Sequence, residues 1–156
     1  MSEAEQNNQP VFSIEKIYVK DLSSEVPNAP EAFLNREQPN IQVQLQTTSK
    51  LIQEGVYDAA LTVTVTATVN EKNLFLVEVV QAGIFQIRNI PENDIAPILG
   101  IACPNILFPY AREAVSDSIS RCGFPPVLLA PVNFELLYQQ RLQSEGQGGP
   151  HTNSLQ

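Results

Sequence analysis

One segment of the chain, LTVTVTATV at residues 61–69, alternates strictly between apolar side chains and threonines. Its apolar members stand at the odd positions Leu61, Val63, Val65, Ala67 and Val69. Because successive side chains of a strand point to opposite sides of a sheet, this alternation predicts a β-strand with one buried face and one solvated face. Such a strand needs neighbouring strands, and its apolar face needs a second layer of structure to cover it.

Further strands are predicted by the same alternation and by the turn residues between them. IQVQLQ at 41–46 alternates with its glutamines outward, and turn residues stand at Glu54-Gly55 and at 70–73. We therefore predict antiparallel strands at 41–52, 56–69 and 73–88. The earlier segment VFSIEKIYVKDL changes the parity of its apolar positions midway, as a strand with a β-bulge does, and it is the predicted fourth strand.

The strand predicted at 73–88 is unusual because both of its faces are apolar. Its odd positions include Phe75, Val77, Val79 and Phe85, and its even positions include Leu74, Leu76, Val80 and Ile84. Either this strand is central in the sheet or one of its faces meets another chain. The polar outer side of the other strands favours a subunit interface over burial under a loop.

Helical spacing of apolar residues replaces the alternation after residue 91. A short helix is predicted from Pro91, and Pro104 is predicted to end it and to open a second helix through about residue 121, which Pro109 either kinks or starts. FELLYQQRLQ at 134–143 is a predicted third, amphipathic helix. Strands followed by helices indicate the α+β class, with a four-stranded antiparallel sheet packed on helices. A single domain is predicted at 11–143, between disordered tails at 1–10 and 144–156 that are polar or glycine-rich.

Composition excludes several classes of function. The chain has 156 residues, 17 acidic and 9 basic, with a formal net charge of −8, and its basic residues do not cluster, which argues against nucleic acid as a partner. The N-terminus is polar and acidic, and no run approaches the ~18 apolar residues of a membrane span. We therefore expect a cytoplasmic protein without direct membrane insertion. Cys103 and Cys122 match no metal spacing and are expected to be free thiols, buried and inert.

The search for catalytic groups finds no assembled site. The single histidine, His151, lies in the predicted tail, the acidic residues are scattered, and no glycine-rich phosphate-binding motif is present. Asp58 and Glu78 form a conceivable carboxylate pair across strands, although solvated surface charge is the simpler reading of both. No cofactor, metal site or catalytic residue is therefore predicted, and the sequence indicates a binding protein.

Two long stretches are rich in both proline and apolar residues, at 21–40 and at 123–134. Loops longer than ~12 residues are usually functional or disordered, and apolar content argues against disorder. The residues expected to line a binding groove are Val26, Phe33, Leu34, Phe124, Val127, Leu128, Leu129 and Phe134. The alternative is that they only cap the core, and the residues alone allow both.

Five strings occur in one order along the chain: PNAP at 27–30, GIF at 83–85, CPNIL at 103–107, FPYARE at 108–113 and LAPVNF at 129–134. Together they resemble SecB, the bacterial protein-export chaperone family, from about Phe12 to Leu142. The resemblance implies a non-enzymatic homotetramer, a dimer of dimers with outward-facing sheets. It also implies that the protein holds unfolded secretory precursor proteins and delivers them to the ATPase SecA. The two loops match the family's crossover and helix-connecting loops, which favours the groove.

The resemblance also implies partner surfaces. The family's SecA contact maps onto Asp21, Glu25, Leu76 and Glu78, where a carboxylate beside Leu76 suits a basic partner peptide. The region where family subunits pair maps onto Val77, Val79 and Gln81. The C-terminal tail departs from the family because it is glycine-rich and has a single acid, Glu145. Two alternatives stay open: a SecB-like chaperone of a toxin-antitoxin pair, and a small oligomeric enzyme of the thioesterase kind.

Overall fold

The computed structural model describes residues 8–145 and the backbone of residues 153–155. One antiparallel sheet has the strand order β1-β4-β3-β2-β5, with β1 Val11–Glu25, β2 Asn40–Gln53, β3 Val56–Val69, β4 Lys72–Arg88 and β5 Asn153–Leu155. The helices are α1 Glu92–Pro97, α2 Cys103–Arg121 and α3 Phe134–Glu145. The α+β prediction is confirmed, and the four predicted strands form the body of the sheet.

The core lies between one face of the sheet and α2. Odd positions of β3 and β4 are buried, whereas the threonines of β3 are half-buried on the opposite face. The helix contributes a stripe of residues at every fourth position, all without exposed surface: Cys103, Leu107, Ala111, Val115 and Ile119. β4 lies between β1 and β3. The strand with two apolar faces is therefore central in the sheet, which is the first of the two alternatives.

The helical layer differs from the prediction at its prolines. Pro104 and Pro109 do not divide it, because α1, a π-helical segment at Ile98–Ala102 and α2 follow one another without a break. An interior proline costs about 3 kcal/mol, whereas burying each large apolar side chain of the α2 stripe contributes about 1.5–3 kcal/mol. Packing of the stripe therefore outweighs Pro109, which stands on the exposed side. The π-helical segment, where the hydrogen-bond register changes, ends two residues before Pro104.

This continuous stretch also bears on the expectation about membrane spans. Among the described residues, Glu92–Arg121 is the one helical stretch that is long and apolar enough to cross a membrane by length and composition. The sequence reading missed it because it counted uninterrupted apolar residues. A core helix of a globular domain passes the same test, and α2 supplies the covering layer of this core.

β1 contains two register shifts where the sequence suggested one bulge. They fall between Ile14 and Lys16 and between Val19 and Asp21. Each shift changes the parity of the apolar positions, so Phe12, Ile17 and Leu22 all face the same side despite their numbering. The partners of these residues on β4 are Ile87, Gly83 and Val79, which belong to the helix side of the sheet.

The first predicted loop is shorter than expected, because β1 continues to Glu25 and a 3-10 turn occupies Glu31–Leu34. α3 packs closely on the π-helical segment, since a Cβ at Gly100 would lie 2.5 Å from the ring of Tyr138. Residues 1–7 and 146–152, which make up much of the two predicted tails, lie outside the described residues. Within the predicted C-terminal tail, Asn153–Leu155 forms a strand.

Candidate polypeptide-binding site

The two proline-rich loops meet over the N-terminal end of β4, where Phe75 lies. The ring of Phe33 stacks on that of Phe124 with centroids 5.2 Å apart, and the ring of Phe124 lies 5.1 Å from that of Phe75. Gly123 makes this approach possible, because its φ of +92° suits glycine and a Cβ there would lie 2.9 Å from the Phe33 ring. Phe33, Phe75 and Phe124 form what we call the aromatic cluster.

An apolar groove of about 240 Å³ lies between β2, α2 and the second loop. We call it the β2 groove, and its lining residues are Ile41, Val43, Leu45, Phe108, Val127, Leu128, Leu129, Ala130 and Val132. The lining contains no charged side chain. The volume is below the roughly 300–1,000 Å³ of typical small-molecule sites. An open apolar groove of this size suits side chains of an extended polypeptide better than an enclosed substrate.

The structure does not bring all of the predicted groove residues together. Val127, Leu128 and Leu129 line the β2 groove, and Phe33 and Phe124 form the aromatic cluster. Val26 is half-buried, and Leu34 stands 80% exposed on the 3-10 turn.

Phe134 belongs to the core instead, since it is only 2% exposed and its ring contacts that of Phe108 edge-on at 5.8 Å. A ring buried this way has almost no surface to offer a bound polypeptide. Sequence reasoning missed Phe108 and Val132 and the β2 residues Ile41, Val43 and Leu45. The signal for the β2 residues was the apolar face of IQVQLQ. The alternation alone does not show that this strand lies at the border of the core, where its apolar face can line a groove.

The four residues assigned to a SecA contact lie on the outer face of the sheet. Glu25 is the cross-strand partner of Leu76, and Asp21 is the partner of Val80. Because cross-strand partners share a face and alternate residues of β4 share it too, Asp21, Glu25, Leu76 and Glu78 all point away from the helices. Thr64 on β3 donates a hydrogen bond to Glu78 Oε2 at 3.0 Å. The surface is therefore acidic with one half-buried leucine.

Val77, Val79 and Gln81 lie on the opposite face of β4. The two valines have no exposed surface in the single chain and Gln81 is 3% exposed, with its Nε2 donating to the Tyr18 carbonyl oxygen at 3.2 Å. Their own core encloses these side chains, so they have no surface with which to contact another subunit. Their assignment to a subunit interface came from the family resemblance, and it stays a prediction.

Exposed apolar surface on the helix side of this edge lies on β1 instead. We call it the β1 stripe, and it comprises Phe12, Ile14, Ile17, Val19 and Leu22. Four of these side chains are 40–52% exposed, and Ile17 is half-buried. A row of large apolar side chains on an edge strand marks a protein interaction surface.

A polar cluster on the outer face joins β1 to β3 across β4. Asp58 accepts a hydrogen bond from the Tyr18 hydroxyl at 2.5 Å and an ion-paired one from Lys20 Nζ at 2.6 Å. The hydrogen bond to Asp58 raises the pKa of Lys20, and burial together with Asp58 raises the pKa of Tyr18. Asp58 lies opposite Ile84, six residues along β4 from Glu78. Six residues of strand span roughly 20 Å, so the two carboxylates do not form an acid-base pair.

The thiols differ from each other. Cys103 is fully buried, and burial raises its pKa to about 12, which keeps it protonated and unreactive as expected. Cys122 is only partly buried, so the expectation of burial holds for one of the two cysteines. Both are free, and no group of three or more His, Cys, Asp or Glu side chains within the described residues could hold a metal ion.

The site consists of an open apolar groove, an aromatic cluster formed by two loops and an acidic outer sheet face. The described residues contain no assembled catalytic group. These features together define a polypeptide-binding protein. The sequence profile of the family described as "Preprotein translocase subunit SecB" matches residues 5–145. The chain belongs to the SecB family, whose members are non-enzymatic protein-export chaperones.

Similar proteins cover nearly the whole chain. The "Protein-export protein SecB" of Dechloromonas aromatica is 64% identical over 94% of this chain and 95% of its own length. The protein of the same description from Chromobacterium violaceum is 61% identical over 96% of this chain and 99% of its own length. A solved SecB-like chaperone of Mycobacterium tuberculosis, in complex with a peptide from an antitoxin, superposes with a TM-score of 0.65 at 16% identity. The superposition covers 78% of this chain and 90% of the other chain, and it supports the fold.

Proposed function

We propose that the β2 groove and the aromatic cluster hold unfolded secretory precursor proteins in the cytoplasm before export. The observation that carries this proposal is the uncharged, open groove beside β2, whose outer edge pairs with β5 at only three residues. Unfolded chains present apolar side chains and unpaired backbone groups, and a groove next to a strand edge accepts both without reading a particular sequence. Proline in the loop at 124–131 stiffens the groove wall and lowers the entropic cost of binding.

The outer sheet face is the proposed site for SecA. Asp21, Glu25 and Glu78 favour a basic partner, and the half-buried Leu76 supplies an apolar contact between them. This surface lies across the sheet from the helices, whereas the β2 groove opens on the helix side. A client and SecA can therefore occupy the same subunit together, as a handover requires.

Assembly into a homotetramer is the third part of the proposal, and the β1 stripe is the surface that we assign to pairing. Its exposed residues require cover in a protein that stays soluble. Val77, Val79 and Gln81 then support the interface from beneath, as packing for β1, without contacting the second subunit.

Dilution of a urea-unfolded precursor into buffer with the purified protein and no nucleotide tests the proposal. A stoichiometric amount of the protein should slow the recovery of the precursor's native fluorescence, because the groove withholds apolar segments from folding. Refolding at the unassisted rate would contradict the proposed function. Export is the favoured role over antitoxin binding, because the relatives described as export proteins share 54–65% identity with this chain and the antitoxin-bound protein shares 16%.

A further inference from the structure

The outer side of β2 carries a strand from the chain's own C-terminus. β5 pairs antiparallel with β2 through three cross-strand pairs: Val43 with Leu155, Gln44 with Ser154, and Leu45 with Asn153. β2 has 14 residues, so β5 covers only a short part of its free edge, near the N-terminal end of the strand. Without β5, β2 would be a bare edge of the sheet, with unpaired backbone groups available to any extended chain.

The position of this pairing coincides with the β2 groove. Val43 and Leu45 have side chains in the groove lining, and they are the cross-strand partners of Leu155 and Asn153 in β5. An extended polypeptide whose side chains enter the groove would extend along this same edge, because strand addition pairs backbone with backbone while side chains fill adjacent pockets. The C-terminal segment and a bound client therefore need the same three residues of β2.

We propose that the segment Asn153–Leu155 is a built-in occupant of the β2 edge, and that an extended client segment has to displace it. This inference rests on the proposed function. The occupant is a named part of the same chain, and its recognition is backbone pairing, which does not depend on the client's sequence. Occupation protects the edge from aggregation when no client is present.

The tether makes such an occupant effective and still displaceable. Seven residues separate Glu145, the end of α3, from Asn153. A connection of only seven residues gives a local concentration on the order of millimolar. A three-residue strand forms few hydrogen bonds, and the remaining length of β2 gives a longer client segment room to begin pairing before it displaces β5.

Proline substitution tests the pairing. Asn153→Pro combined with Ser154→Pro removes two successive backbone N–H groups, one of which points toward β2 in any strand register. The matched control is the exchange Asn153→Ser with Ser154→Asn, which keeps both N–H groups and the composition. Fluorescein-labelled, carboxymethylated α-lactalbumin, which stays unfolded without denaturant, serves as the probe. The proline variant should bind it about three- to tenfold more tightly than the native chain, and the control should bind like the native chain.

A reversible cross-link tests the opposite direction. Gln44→Cys and Ser154→Cys place two thiols at directly paired positions, within the Cα separation that a disulfide bridges. Cys122→Ser in the same chain removes the partly buried competing thiol. Oxidation should weaken probe binding at least tenfold, and reduction should restore it. Hydrogen exchange should also be faster at residues 43–45 in the proline variant than in the native chain.

The outcomes separate the two proposals. If the native chain binds the probe while the proline variant and both redox states bind equally well, the built-in occupant is overturned and the proposed function stands. Equal hydrogen exchange at residues 43–45 in the native and proline chains leads to the same conclusion. If no form binds the probe, the proposed function fails and takes this inference with it.

Discussion

The two edges of the sheet are built differently. β1 has two register shifts, and its stripe leaves Phe12, Ile14, Val19 and Leu22 about half exposed on the helix side. β2 has glutamines on its exposed face, places Ile41, Val43 and Leu45 in the groove, and pairs only briefly with β5, although Leu51 and Ile52 at its far end are exposed. Both edges need cover, but a continuous apolar stripe calls for a stable protein partner, whereas a short self-strand beside a groove suits an exchangeable one.

The difference shows that one sheet can use one edge for stable association with another subunit and the other edge for transient association with a client. Large exposed side chains give β1 an affinity that does not depend on backbone pairing alone. β2 instead offers backbone groups and a small apolar groove, which give modest affinity for many extended segments. We therefore expect substitutions at the two edges to have separate effects.

The largest expected effect comes from the β1 stripe. Ile14→Asp combined with Val19→Asp places two charges on the apolar surface assigned to subunit pairing, where an unpaired charge is expensive to bury. The sedimenting mass should fall from about four subunits of 17.2 kDa to one or two. The control, Gln42→Asp with Gln44→Asp on the exposed face of β2, should sediment like the native protein. Native sedimentation of the β1 variant would remove the stripe from the interface.

The β2 groove should give the next largest effect. Leu128 lines the groove and is 69% exposed in the single chain, so Leu128→Asp removes client contact without emptying the core. Losing the burial of one leucine costs about 2 kcal/mol, or roughly thirtyfold in affinity for an unfolded polypeptide. Fluorescence titration with the carboxymethylated α-lactalbumin probe measures it.

A matched variant for this test is available on α3. Leu136 is 49% exposed and lies outside the groove lining, so Leu136→Asp introduces the same charge elsewhere. It should bind the probe like the native chain. Equal losses in both variants would indicate a general effect of charge, and no loss at Leu128 would place client binding outside the groove.

A third substitution examines the outer face beside β1. Glu78→Lys reverses one charge of the acidic surface and removes the acceptor of the Thr64 hydroxyl. Binding of SecA should weaken by about tenfold, or ~1.4 kcal/mol, because the complementary charge is lost at a polar rim. Binding of the unfolded probe should not change, since the groove lies on the other face.

Glu54→Lys is the control for that reversal. Glu54 is exposed in the turn between β2 and β3, at the opposite end of the sheet from Glu25. Glu54→Lys makes the same change in net charge as Glu78→Lys, but at a distance from the acidic surface. SecA binding measured by calorimetry should therefore stay near native. A loss of probe binding in Glu78→Lys equal to its loss of SecA binding would contradict two separate surfaces.

The elements that the sequence predicted well are those whose evidence is local. The alternation of β3 and the glutamines of β2 record which face meets water, so strands and their faces follow directly. Loop composition also identified Phe124 and Leu128 as candidates, because large apolar residues between prolines are unusual in a loop. The second register shift of β1 was visible at Leu22, but the segment was read as irregular from Asp21 onward.

The elements that the sequence did not predict depend on packing between distant segments. Whether Pro109 breaks a helix depends on the stripe of α2 that the sheet buries. Whether Val77 is core or interface depends on which face α2 covers. β5 has no strand pattern of its own, since three residues paired through their backbone leave no signal in side-chain periodicity.

The smallest expected effect concerns the polar cluster that holds β1 against the sheet. Tyr18→Phe removes one hydrogen bond to the largely buried Asp58 and should lower the free energy of unfolding by about 1 kcal/mol at neutral pH. Tyr110→Phe, on the exposed side of α2, should leave it unchanged. Urea unfolding, followed by circular dichroism and by the tyrosine fluorescence of this tryptophan-free chain, measures the free energy of unfolding of both variants. Equal stability of the two variants would show that the hydrogen bond from Tyr18 to Asp58 does not hold β1.

The same cluster predicts a pH dependence whose sign follows from its pKa shifts. Lys20 and Tyr18 both have raised pKa values in the folded chain, so the folded state retains their protons longer than the unfolded state. The stabilisation is complete below the unfolded values of about 10, and it is lost as pH rises through the folded values. Native stability should therefore fall above about pH 10, and Tyr18→Phe should fall less. An equal decline in both chains between pH 9 and pH 11 would assign the alkaline loss to groups other than Tyr18.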